Sequence, residues 1–149
     1  MKKITFLLIL FFIASCNTQK VYSDYDYSYS RSGGFAPVYE NFLIKGNKAH
    51  YSFEGQGKKI KKNFKISSDE IQKLEEVLAA NNFRMIQEDR KKLYDYISTT
   101  IKVNHGQQSA SKSDASYIME QDQEKWDRVT QAFQELLKSK LKTNDKPLN

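Results

Sequence analysis

From Val38 to Ile66 apolar residues recur at alternate positions, and at Ser67 the period changes to that of a helix. That switch narrows the fold more than any other feature of the chain. In a first strand Val38, Phe42 and Ile44 share one face, with Glu40 interrupting, and Tyr39 and Leu43 lie on the other. Lys45-Gly46-Asn47-Lys48 is a tight turn, because Gly followed by Asn takes positive φ at little cost. Ala49 to Glu54 then sets Tyr51 and Phe53 against His50, Ser52 and Glu54. After a second turn, Gly55-Gln56-Gly57, the stretch from Lys58 alternates Ile60, Phe64 and Ile66 against Lys61, Asn63 and Lys65. The pattern predicts a three-stranded antiparallel meander.

A helix follows. Ser67-Ser68-Asp69-Glu70 fits a capping box with Ser67 as N-cap, and Ile66 and Ile71 hold the two positions of a hydrophobic staple. Ile71, Leu74, Val77 and Leu78 make one apolar stripe, ended by Asn81-Asn82. Phe83, Met85 and Ile86 are expected to return the chain to the core, and Gln87 to Lys92 to form a charged loop. Ile97, Thr99, Ile101 and Val103 share a face of the next strand, and Asn104 to Gln107 turns into a polar edge strand over 107–112. A last helix spans about Gln121 to Leu141, with Trp126, Val129, Phe133, Leu136 and Leu137 at helical spacing. Lys138, Lys140 and Lys142 close it, where the macrodipole favours cations. The expected order is β-β-β-α-β-β-α. It describes an α+β domain over residues 34–142, with an antiparallel four- to five-stranded sheet, two helices on one face, and a polar tail at 143–149.

The chain has one cysteine, Cys16, so its fold rests on an apolar core rather than on disulfides. Cys16 ends a distinctive beginning: Lys2-Lys3, nine apolar residues from Phe6 to Ala14, then Ser15. Nine residues are too few for a bilayer core, which takes about 20 in a helix. They match the apolar region of a secretory signal. The stretch Ile13-Ala14-Ser15-Cys16 resembles the lipobox of bacterial lipoproteins. That resemblance implies a signal peptide at 1–15, lipid attachment to Cys16, and Cys16 as the first mature residue. Several acyl chains then hold the protein to a membrane. Asn17 follows the cysteine, and neither an inner-membrane aspartate nor an acidic export cluster is present. The expected location is therefore the cell envelope, on the periplasmic face of the outer membrane. Removal of Lys2 and Lys3 with the signal lowers the formal charge from +6 to 6 − 2 = +4, too mild for a dedicated nucleic-acid binder.

Residues 16–33 read as a lipidated cysteine and a Tyr/Ser-rich tether, polar and nearly free of aliphatic side chains. Within it Tyr25, Tyr27 and Tyr29 alternate. They form either a strip that binds a partner or part of a flexible linker.

Signs of chemistry are sparse. His50 and His105 are the only histidines, and no spacing of His or Cys suits zinc. No nucleophile elbow occurs, and Gly55-Gln56-Gly57-Lys58-Lys59 lacks the spacing and the Ser/Thr of a phosphate loop. The helix carboxylates Glu75, Glu76, Asp122 and Glu124 read as solvated charges. The expectation is a non-enzymatic domain without metal or cofactor. The lysines from Lys58 to Lys65 are either a contact for anionic headgroups or a charged edge that resists aggregation.

One compact motif stands where tether meets domain: Ser32-Gly33-Gly34-Phe35-Ala36-Pro37-Val38-Tyr39. Its first four residues resemble the start of emfourin-like inhibitors of thermolysin-type metalloproteases, small α+β proteins. Asp95-Tyr96-Ile97-Ser98-Thr99-Thr100-Ile101-Lys102-Val103 is similar to their later strand. Pro37 stands where that family has a further glycine. Pro37-Val38-Tyr39, Gly46, Tyr51 to Gly55 and Ser67 to Glu70 resemble an uncharacterised domain of bacterial lipoproteins, over about residues 34–103. The expectation is a domain that binds an envelope protein, with Ser32, Gly33, Gly34, Phe35 and the tyrosines 25, 27 and 29 as contacts. Inhibition of a thermolysin-type metalloprotease and service as an accessory subunit of a membrane complex are the alternatives.

Overall fold

The computed structural model describes residues 24–91 and 96–144. The signal segment, Cys16, the start of the tether and residues 145–149 of the tail lie outside the described residues. The chain folds as an α+β unit whose six-stranded antiparallel sheet carries two helices. The strands are β1 (Tyr27–Gly33), β2 (Val38–Lys45), β3 (Lys48–Gly55), β4 (Lys58–Lys65), β5 (Ile97–Val103) and β6 (Ala110–Ser113). Helix α1 (Ser68–Ala80) follows β4, a 3-10 turn (Phe83–Met85) follows α1, and α2 (Glu120–Asn144) ends the fold. The spatial order is β4-β3-β2-β1-β5-β6.

The sheet has one strand more than the sequence suggested, and it comes from the supposed tether. β1 pairs with β2 on one side and β5 on the other, so it is an interior strand. Tyr27 and Tyr29 are 3% and 1% exposed. They are neither a partner-binding strip nor part of a linker. Their rings supply the apolar area that an interior strand elsewhere takes from Val or Ile. A phenol is buried without penalty only when its hydroxyl is satisfied. Tyr27 donates to Glu75 of α1, and Tyr29 accepts from Gln134 Nε2 of α2 at 3.1 Å. Both tyrosines share one face of β1, so both helices cover the same face of the sheet.

The remaining elements follow their local signals. The capping box is complete: Glu70 N–H donates to Ser67 Oγ at 3.2 Å, and Ser67 N–H to Glu70 Oε2 at 2.8 Å. Leu74 and Leu78 point into the core, as do Trp126, Val129, Phe133 and Leu137 of α2. Each such side chain contributes about 1.5–3 kcal/mol on burial. The 3-10 turn buries Phe83 and positions Ile86 in the core, but it directs Met85 outward, against expectation. The polar edge strand forms as β6, and the lysine-rich β4 is the opposite edge. Lysines along that edge discourage pairing with another chain.

Candidate functional site

β1 runs from the end of the sheet that residues 24–26 enter to a turn over residues 33–37 at the opposite end. Gly33 has φ +112°, and a Cβ placed on it would lie 2.5 Å from the Tyr96 carbonyl oxygen. Gly34 has φ +87°, with Ile97 Cγ1 2.9 Å from the corresponding position. Two glycines are needed here for two reasons: the backbone conformation excludes L side chains, and β5 approaches too closely for a Cβ. The turn is therefore packed against β5 while its next residue, Phe35, is 89% exposed.

Two further aromatic residues flank β5 and β6 in the exposed state. Tyr96, immediately before β5, and Tyr117, between β6 and α2, are also exposed. Tyr117 has φ +62°, a left-handed conformation that is rare for a bulky residue. It is held there by two backbone hydrogen bonds: Tyr117 N–H donates to Asp114 O at 3.0 Å, and Asp89 N–H donates to Tyr117 O at 3.1 Å. Such backbone strain gathers at functional positions. Nothing in Ala115-Ser116-Tyr117 announces it, since neither Gly nor Asn marks the site.

Behind the aromatic residues lies a set of paired charges. Arg31 of β1 pairs with Glu40 Oε2 of β2 at 3.1 Å, and Tyr51 Oη donates to Glu40 Oε1 at 2.9 Å. Asp114 accepts from Thr99 N–H at 2.6 Å and from Trp126 Nε1 at 3.3 Å. Burial pushes the Asp114 carboxyl above the usual aspartate range, against the opposing pull of those two donors and of Arg31. Burial, and next the charge of Glu40, likewise raise the Tyr51 phenol. Both oxygens of Glu40 and both of Asp114 are thus engaged by protein donors. The groups shape and brace this end of the sheet.

Of the residues singled out in the sequence, Ser32, Gly33, Gly34 and Phe35 come together at this turn. Tyr25 is half-buried at the other end of β1, and Tyr27 and Tyr29 are inside the core. His50 lies on the helix-free face, its Nδ1 2.8 Å from Asn63 Oδ1. His105 borders an open depression of about 520 Å³, lined also by Asp26, Tyr27, Ser67 and Glu75, at the end of the sheet opposite the Phe35 turn. The polar groups there are paired already: Asp26 with Gly46 N–H at 2.7 Å, Tyr27 with Glu75, Ser67 with Glu70. Among the described residues no group of three His, Cys, Asp or Glu is placed to hold a metal ion, and no helix is long and apolar enough to cross a membrane.

No protein family matches the chain, and no curated protein matches it.

Proposed function

We propose that this chain is a lipid-anchored protein of the bacterial cell envelope whose folded domain is non-enzymatic and binds a protein partner through the Phe35 turn. One observation carries the binding half. An almost fully exposed phenylalanine stands on a glycine turn packed against the start of β5, where Tyr96, whose carbonyl faces Gly33, is exposed as well. Large aromatics held in advance in one conformation lose little entropy on docking and supply most of the energy in many protein interfaces. The anchoring half is supported by Lys2-Lys3, the apolar run and Cys16, and Asn17 after the cysteine is the ground for proposing the periplasmic face of the outer membrane.

The same turn favours a more specific second reading, inhibition of a thermolysin-type metalloprotease, since it presents Phe35 to solvent directly after the Ser32-Gly33-Gly34 run. The soluble chain from Asn17 is to be assayed against a varied panel of such proteases. Submicromolar inhibition lost on Phe35→Ala supports that reading, and no inhibition across the panel removes it. An accessory subunit of a membrane complex is the remaining proposal. With Tyr27 and Tyr29 buried, its contacts are left to the lysine-rich β4, and its test is co-purification of a stable assembly after detergent extraction.

A further inference from the structure

The two faces of the sheet differ in charge. On the face without helices the strand registers gather Lys45, Lys48, Lys59, Lys61, Lys65 and Lys102. The one acidic residue of the strands on that face is Glu54, which pairs with Lys59 at 3.0 Å. Lys45 is held by Asp24 and Asp26, at 3.5 and 3.3 Å. Lys48, Lys61, Lys65 and Lys102 form no ion pair among the described residues, and the first three are exposed. Much of the rest of this face is serine, threonine and asparagine. On the other side α1 carries Asp69, Glu70, Glu75 and Glu76 against Lys73 alone. The sequence run from Lys58 to Lys65 is thus one border of a broader basic face that β2, β3 and β5 complete.

We propose that this helix-free face rests against an anionic lipid bilayer, an inference that rests on the lipid anchoring proposed for Cys16. Three observations select a bilayer over a free polyanion. β1, the strand that continues the anchor segment, is interior to the sheet, so the anchor joins the domain near the middle of the sheet rather than at an outer strand. Residues 17–26 between Cys16 and β1 span at most about 35 Å, which keeps the domain beside the membrane at high effective concentration. Individually weak lysine contacts suffice under that condition. The lysines are also spread over four strands instead of converging on a pocket, and this suits a flat charged surface within the Debye length of about 10 Å. In this pose the Phe35 turn lies at the rim of the contact, free for its partner.

The test uses the lipidated chain purified from membranes. Mass spectrometry first reads acylation of Cys16; an unacylated cysteine overturns the anchoring reading itself. With Cys16 blocked by lipid, single thiols at Ser52→Cys on the basic face and Gln131→Cys on α2 take a fluorescent donor. The protein is placed in nanodiscs with headgroup acceptors, made either of equal phosphatidylglycerol and phosphatidylcholine or of phosphatidylcholine alone. The expected result is strong energy transfer from position 52 and weak transfer from 131 in the anionic discs. Transfer from 52 is to fall several-fold in neutral discs, at high salt, and in the triple variant Lys48→Glu, Lys61→Glu, Lys65→Glu. Circular dichroism shows whether that variant is folded; the neutral discs and salt give the same test on the unaltered surface. Equal transfer from 52 in both discs overturns the proposal, and so does retention of the chain on a polyuronate with no response to phosphatidylglycerol.

Discussion

The Tyr29 ring lies on the Phe133 ring with centroids 5.9 Å apart and planes 14° from parallel. The contact joins the first strand to the middle of the last helix, so the two ends of the described fold are fastened at its centre. Truncating either ring leaves a cavity in a packed core. Phe133→Ala is expected to cost about 3–5 kcal/mol, and Tyr29→Ala a similar amount. Tyr29→Phe removes only the hydroxyl that Gln134 donates to, and costs about 1 kcal/mol. Urea denaturation reads all three. A Tyr29→Ala chain with an unchanged midpoint contradicts the placement of β1 in the core.

The Gly33 turn makes a sharper demand. Gly33→Ala forces a Cβ against the Tyr96 carbonyl and imposes a strained φ, at about 1–3 kcal/mol. Gly34→Ala meets the side chain of Ile97, which has freedom to yield, and is the milder change of the two. Thermal melts of both variants rank them. The reverse ranking contradicts the close approach of the turn to β5.

Acid stability depends on Glu70. Burial pushes its carboxyl up, but Lys140 at 2.6 Å and the Ser67 N–H outweigh burial and leave it below the usual glutamate range. A lowered folded pKa contributes stability above the unfolded value, and that contribution is lost as pH falls through the folded value. Glu70→Gln is therefore less stable than the parent at neutral pH, with the gap closing below the ordinary glutamate range. Ser67→Ala removes the cap oxygen instead, costing about 1 kcal/mol, with little dependence on pH. Denaturation midpoints measured across pH separate the two effects.

Trp126 is the only tryptophan of the chain and donates to Asp114. Its emission is expected to titrate with that carboxyl, at a pH above the ordinary aspartate range because burial disfavours the charged form. The transition should vanish in Asp114→Asn. A transition that persists in this variant assigns the signal to another group.

How far the fold was legible depended on how local each cause was. The capping box at Ser67 and Glu70 could be read directly, since its hydrogen bonds span three residues. The meander and both apolar stripes followed from periodicity. β1 was hidden because Ser28, Ser30 and Ser32 alternate with residues that contain no aliphatic side chain, a composition equally suited to a linker. What makes Tyr27 and Tyr29 core residues is the satisfaction of their hydroxyls by Glu75 and Gln134, partners far along the chain. At the candidate site the glycines and Phe35 were legible as a motif. The left-handed Tyr117 was not, because its conformation is set by hydrogen bonds to Asp89 and Asp114.

The central claim is that Phe35 is the point of contact with a protein partner. Its most direct test replaces Phe35 with a photo-crosslinking phenylalanine analogue in the lipidated chain, and Gln131 likewise as a control on α2. Irradiation in intact envelopes is expected to give one discrete protein adduct from position 35, absent from position 131 and competed away by excess unlabelled chain but not by its Phe35→Ala variant. No adduct at position 35, or the same adducts from both positions, contradicts the account.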